Sequence, residues 1–177
     1  AHCLVATVSP DLKDTAAAKA YEDGDVPLWK DLGSLSYPVS TKNPEAQAYF
    51  DQGLKLAANF NHAEAQRSFR KAQRLDPDCA LCFLGEALIL GPNINVPMAP
   101  EANGPALAAL HKAQALAGGA TDKEKVLIEA VATRYSDDPN AERPPLDAAF
   151  ADAMATLSDK YPDDLLLAVA AAEAGMD

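Results

Sequence analysis

The sequence predicts an all-α fold, a right-handed stack of antiparallel helix pairs of the α-solenoid kind, and three observations predict it. Tyr49, Gly53, Leu56, Ala65, Phe69, Ala72 and Pro77 alternate bulky and small residues over two helix-length stretches closed by a proline. Phe83, Ala87 and Leu90 follow Tyr49, Gly53 and Leu56 after 34 residues, the period of a stacked helix–turn–helix unit. Between Ala80 and Leu90 the chain carries a single charge, Glu86. A helix apolar almost all round needs cover on nearly every side, which places this one at the centre of the stack. Small residues such as Gly53 and Ala65 suit close helix approach, while Tyr49, Leu56 and Phe69 fill the gaps between pairs.

Residues 1–42 read as an N-terminal arm packed on the array, and 43–177 as a helical repeat domain of about three helix pairs plus a final helix. The arm holds an apolar run from Cys3 to Val8, a helix around Asp11 to Tyr21, and a Pro/Ser-rich stretch through Pro38 and Ser40. Asn43 caps the first helix with Pro44 at its first position, where the missing N–H costs nothing; that helix runs to about Ala58. Asn61 caps the second, and Glu64 three residues later resembles a capping box. Ala65, Phe69 and Ala72 then form one face through to Leu75, and Asp76-Pro77-Asp78 is the turn. The third helix starts near Cys79 and is stopped by Gly91-Pro92.

A loop through Gly104 follows, broken by Pro92, Pro97 and Pro100. Ala106, Leu110 and Ala113 repeat the spacing of Ala65, Phe69 and Ala72 after 41 residues instead of 34, so seven residues are inserted. Inserted loops often lie at a functional face. Thr121 and Glu124 form a capping box for a helix through about Tyr135, and a polar loop spans Ser136 to Pro145. Phe150, Met154, Leu157 and Pro162 make a third, degenerate pair. The last helix, Leu165 to Ala174, has only Glu173 charged. Such a helix does not stand bare in water. It docks on the preceding pair, on another subunit as a homo-oligomer contact, or under a further helix of a longer chain.

The chain of 177 residues is long enough to bury a core, with 49% hydrophobic residues. Lysine and arginine total 15 against 26 acidic residues, a formal charge of −11. That balance disfavours nucleic acid and anionic lipid and points to a basic or apolar partner. No segment reads as a membrane insertion, and no signal peptide is visible ahead of the arm.

The stretches Glu45-Ala46-Gln47-Ala48-Tyr49-Phe50-Asp51-Gln52-Gly53, Phe60-Asn61-His62-Ala63-Glu64-Ala65, Leu75-Asp76-Pro77-Asp78-Cys79-Ala80 and Gly91-Pro92-Asn93-Ile94-Asn95 resemble a family of largely uncharacterised bacterial tetratricopeptide-repeat proteins. The resemblance covers roughly residues 35–164. It implies a helical repeat, a bacterial source, often an exported protein, and further repeats beyond; it implies no established reaction. Where such proteins carry an aromatic pair before a glycine, this chain has Phe83-Leu84-Gly85.

In tetratricopeptide repeats the first helix of each pair lines the concave side. Here Gln47, Phe50, Leu54 and Ala58, with Leu81, Leu84 and Leu88 on the next such helix, are the expected lining. A groove so apolar calls for an occupant. The candidates are the protein's own arm, with Leu4, Val5, Trp29, Leu32 or Leu35 as plugs, a peptide or partner helix, or a small apolar molecule. Asn59, Asn61, His62, Asn93 and Asn95 stand at the rim as polar contacts, although Asn61 has a competing role as a cap. The function expected is a noncatalytic protein-interaction scaffold.

Chemistry, if any, rests on Cys79 and Cys82, whose spacing at a helix start suits a thiolate. Buried thiols, a structural disulfide, and redox or metal-handling chemistry are the three readings. A structural zinc site needs four ligands and no second CxxC or HxxxH occurs, while haem attachment needs histidine where Phe83 stands. No nucleophile elbow or phosphate-cradling glycine loop is present, so neither cofactor nor metal is expected.

Overall fold

Seven α-helices occur among the described residues, which are 24–138 and 140–176 of this computed structural model. They are α1 (Pro44–Ala58), α2 (His62–Leu75), α3 (Ala80–Leu90), α4 (Asn103–Leu116), α5 (Asp122–Ala132), α6 (Arg143–Lys160) and α7 (Leu165–Ala174). Single 3₁₀ turns at Pro100–Ala102 and Ala117–Gly119 flank α4. The described residues hold no strand, only an isolated bridge between Asn93 and Val96. The apolar run from Cys3, the helix expected over 11–21, and the plugs Leu4 and Val5 lie outside the described residues.

The helix starts are set by local chemistry. Asn43 Oδ1 accepts from the N–H groups of Glu45 (3.0 Å) and Ala46 (3.3 Å), satisfying donors that no intrahelical carbonyl reaches. Thr121 and Glu124 form the reciprocal capping box. At Asn61 only half of such a box exists: Asn61 accepts from Glu64 N–H, but the Glu64 carboxylate turns to Arg67 at 2.7 Å. Helix α6 begins at Arg143, ahead of the expected loop end at Pro145, because Pro144 and Pro145 sit in the first turn where proline is tolerated.

Helix α2 runs opposite to both α1 and α3. Asn43, ahead of α1, donates to the carbonyl of Leu75 at the end of α2 (2.9 Å). Between α2 and α3, Gln66 meets Glu86 (3.0 Å) while Gln73, two turns on, reaches back to Cys82 O (3.2 Å). Each helix packs on the next in the chain, and α3 also touches α1 and α5. Helix α3 is therefore central, as its apolar surface requires. Its one charge is clasped: Glu86 is buried and accepts from Gln66, Arg70 (2.6 Å) and Gln73 (2.7 Å) of α2.

The core is organised around Phe69. Its ring lies between Gly53 of α1 and Gly85 of α3, and a Cβ at either glycine would stand 2.5 or 2.6 Å from ring carbons. The tight approach thus belongs to an aromatic ring from α2 seated in two glycine gaps, with Phe50 tilted against it at 5.6 Å between centroids. The 34-residue period matched Gly53 with Ala87, yet Gly85 is the residue that shares Gly53's contact.

Candidate functional site

An extended segment, residues 24–43, lies along α1, and α1 grips it through its main chain. Gln52, buried, donates to Pro27 O (2.9 Å) and to Ser68 Oγ (3.1 Å) and accepts from Trp29 N–H (2.8 Å). The Tyr49 hydroxyl donates to Val26 O (2.7 Å). One turn from each other on the same face, Gln47 and Asp51 complete the grip: Asp51 accepts from Tyr37 N–H (3.0 Å), while Gln47 donates to Tyr37 O (2.9 Å) and accepts from Val39 N–H (3.0 Å). Gln47 and Asp51 also bond to each other (2.9 Å), which fixes both rotamers. Every one of these bonds to the segment ends on a backbone atom, so the contact reads extended conformation more than side-chain identity.

Side chains anchor the two ends. Val26, 1% exposed, inserts into the core beside Tyr49, and Arg67 donates to Asp25 O (3.1 Å). At the other end Ser40 N–H donates to Glu124 (2.6 Å), with the Ser40 hydroxyl on the same carboxylate, and the Thr41 hydroxyl donates to Asp76. The Tyr37 hydroxyl donates to Asp164 Oδ2 (3.0 Å), to which Lys123 also donates (2.7 Å). Asp164 Oδ1 meanwhile caps α7 through Leu167 N–H (3.2 Å). Burial pushes the Glu124 and Asp164 carboxyls up, but the hydrogen bonds they accept outweigh it and hold both below the usual carboxylate range. Burial likewise raises the Tyr37 hydroxyl. It lowers the Lys123 ammonium, where the Asp164 and Tyr37 bonds prevail and leave it raised.

The expected apolar groove is not open. Phe50, Leu81 and Leu84 are buried in the helix packing, Leu54 and Leu88 are half-buried, and Ala58 alone of that set is exposed. The reason is the Gly53–Phe69–Gly85 contact, which draws α1 and α3 close enough to touch. Of the expected plugs, Leu32 packs on the core, while Trp29 and Leu35 are exposed; Val26 is the residue that inserts.

The polar rim is largely spent on turns. Asn59 returns to Lys55 O (2.8 Å), Asn61 caps α2, and Asn93 bridges Val96 and accepts from Asn95 N–H (3.0 Å). His62 is half-buried, stacked on Phe60, and burial lowers its imidazole pKa. Phe60 holds φ +57° at 60% exposure. It sits where a Schellman turn ordinarily takes glycine: its N–H bonds to Ala57 O and that of Asn61 to Leu56 O, both at 2.9 Å. The segment just after α5 ties down the end of α3 and its following loop: Arg134 donates to Pro92 O (2.6 Å), and the Tyr135 hydroxyl, its pKa raised to about 12 by burial, donates to Ala87 O within α3.

Cys79 and Cys82 form a disulfide, and both are fully buried at the start of α3. Among the described residues no group of three or more His, Cys, Asp and Glu side chains is placed to hold a metal ion, and no helix is long and apolar enough to cross a membrane. No family model, no curated protein and no solved structure matches the chain. The tetratricopeptide resemblance accordingly rests on the residues quoted for it.

The gripping residues Asp51, Gln52, Glu124 and Asp164 were not singled out from sequence as a site. One signal existed: Asp51 and Gln52 are polar residues on the stretch that carries Tyr49, Phe50 and Gly53, where burial of a polar side chain demands a partner.

Proposed function

We propose that the chain is a noncatalytic interaction scaffold, a tetratricopeptide-like stack of helix pairs whose α1 face takes an extended peptide and holds it by its backbone. The observation that carries this reading is the grip of Tyr49, Gln47, Asp51 and Gln52 on the main chain of residues 26–39. Such bonds are indifferent to which chain supplies the segment. The protein's own arm occupies the face, so a partner segment competes with an intramolecular occupant at high effective concentration. A buried disulfide also fits an oxidising compartment, consistent with an exported protein. The redox reading has less support, since neither sulfur is exposed to a partner thiol.

The test loosens the arm and supplies it in trans. Val26→Asp places a charge in the core and is expected to free the segment. A labelled peptide of residues 24–41 is then expected to bind the variant saturably while leaving the parent chain untouched, read by fluorescence anisotropy. Adding Gln47→Ala and Asp51→Ala should abolish that binding. A Val26→Asp variant with parental helix content that binds no peptide would defeat the proposal.

A further inference from the structure

We infer, resting on the scaffold function proposed above, that the α1 face selects extended peptides punctuated by proline, and that it recognises a small branched aliphatic residue followed directly by proline. Both gripped stretches of the arm contain a proline, Val26-Pro27 at one end and Tyr37-Pro38-Val39 at the other. At the first, α1 and α2 turn donors toward three successive carbonyls: Arg67 to Asp25 O (3.1 Å), the Tyr49 hydroxyl to Val26 O (2.7 Å) and Gln52 to Pro27 O (2.9 Å). The next bond is the Trp29 N–H on Gln52 (2.8 Å), two residues past the proline. At the second, Asp51 takes the Tyr37 N–H (3.0 Å), and Gln47 donates to Tyr37 O (2.9 Å) and takes the Val39 N–H (3.0 Å), so the bonds fall on either side of Pro38. Each run of bonds steps over the one nitrogen that carries no hydrogen in proline.

Proline acts here through the backbone. Pro27 and Pro38 are both exposed, so no pocket reads their rings. The ring fixes its own φ and presses the residue before it, Val26 or Tyr37, toward extended conformation. A segment with prolines at these two places is held near its bound shape beforehand and loses less entropy on docking. Side-chain identity is read at one point. Among residues 24–39 only Val26 is buried, at 1% exposure. It sits over the seam of α1 and α2: its neighbours in the chain are bonded from Arg67 of α2 and Gln52 of α1, and Gln52 itself bonds Ser68 of α2. A shorter side chain leaves a void in that seam, and a longer one has no room in a packed core. Asp25 adds an ion pair with Lys71 (3.4 Å), but its carboxylate is exposed and contributes little. Leu28 and Leu35 face solvent and select nothing.

The loosened Val26→Asp chain is titrated with labelled peptides of residues 24–41, read by fluorescence anisotropy. Relative to the parent peptide, Val26→Ala in the peptide should weaken binding about tenfold, and Val26→Phe about fivefold or more. Pro27→Ala and Pro38→Ala should each weaken it about two- to fivefold, and together by the product. A peptide carrying Leu28→Ser and Leu35→Ser should bind as the parent does. A second measurement leaves Val26 in place and so does not depend on the folding of the Val26→Asp chain. With Pro27→Ala and Pro38→Ala in the arm of the full chain, the Trp29 N–H should exchange with deuterium about fourfold faster or more, while amides inside α6 keep their parental rates. Equal binding of the parent, valine and proline peptides would overturn the selectivity and leave the scaffold standing. So would an unchanged Trp29 exchange rate, or a loss from Leu28→Ser and Leu35→Ser as large as that from Val26→Ala. Failure of every peptide to bind, the parent included, defeats the scaffold itself and the selectivity with it.

Discussion

At the scale of single residues, the molecule is held by a ring in a slot. Phe69 fills the space left by two absent side chains, Gly53 and Gly85, on helices that flank its own. Glycine inside a helix costs about 1 kcal/mol relative to alanine, so Gly85→Ala gains that much in propensity while driving a methyl to 2.6 Å from the ring. Overpacking of this kind costs about 1–3 kcal/mol. The expected balance is a net loss of up to about 2 kcal/mol in chemical denaturation. Phe69→Leu in the same chain should recover part of it, a coupling that a double-mutant cycle reads directly. Additive effects would mean that the ring and the glycine do not share the slot. The sequence pattern pointed to Gly53 and Phe69 but paired Gly53 with Ala87, because a repeat period aligns helices by translation. A knob from α2 meets the faces turned toward it from both sides, and that relation has a different spacing.

At the scale of elements, the helices were legible because their determinants are local. Asn43, Thr121 and Glu124 act within three residues of themselves, and the lone charge of α3 announced a covered helix. The candidate site was not legible, because its bonds join residues far apart: Gln52 with Trp29, Ser40 with Glu124, Tyr37 with Asp164. The apolar lining expected at Phe50, Leu81 and Leu84 failed for a related reason. Whether a face is concave and open depends on how closely α1 and α3 pack, which small residues in α1, α2 and α3 decide together. Spacing also left the state of Cys79 and Cys82 open; at the start of α3 they are joined. Closing so short a loop is worth about 2 kcal/mol in the chain-entropy account. Replacing both residues by alanine should lower unfolding free energy by about that amount while leaving the arm in place. The native disulfide, being buried, should resist reductant until the protein is unfolded. Rapid native-state reduction, trapped by alkylation and mass spectrometry, would contradict the structural role given to it.

At the scale of the whole molecule, the arm is a clasp whose bonds cross from one end of the helical array to helices late in the chain. Residues 37–41 reach Asp76 after α2, Glu124 in α5 and Asp164 ahead of α7, so a segment next to α1 ties together helices far apart in the chain. Two of those three anchors are carboxylates held below the usual range by the hydrogen bonds they accept. A carboxyl whose folded-state pKa is depressed adds stability that is fully present above its unfolded value, about 4. That contribution disappears as pH falls through the lower folded value. The clasp is therefore expected to hold from neutrality down to about pH 4.5 and to loosen below it. Trp29, the single tryptophan of the chain, lies on the arm with its N–H on Gln52 and reports the release by its fluorescence. Glu124→Gln removes the charge while keeping an acceptor for Ser40. It should lower the melting temperature at pH 7 and flatten the acid limb between about pH 4.5 and pH 3. Parallel acid limbs for parent and variant would place the acid sensitivity elsewhere, and would reduce the Ser40–Glu124 contact to a passive one.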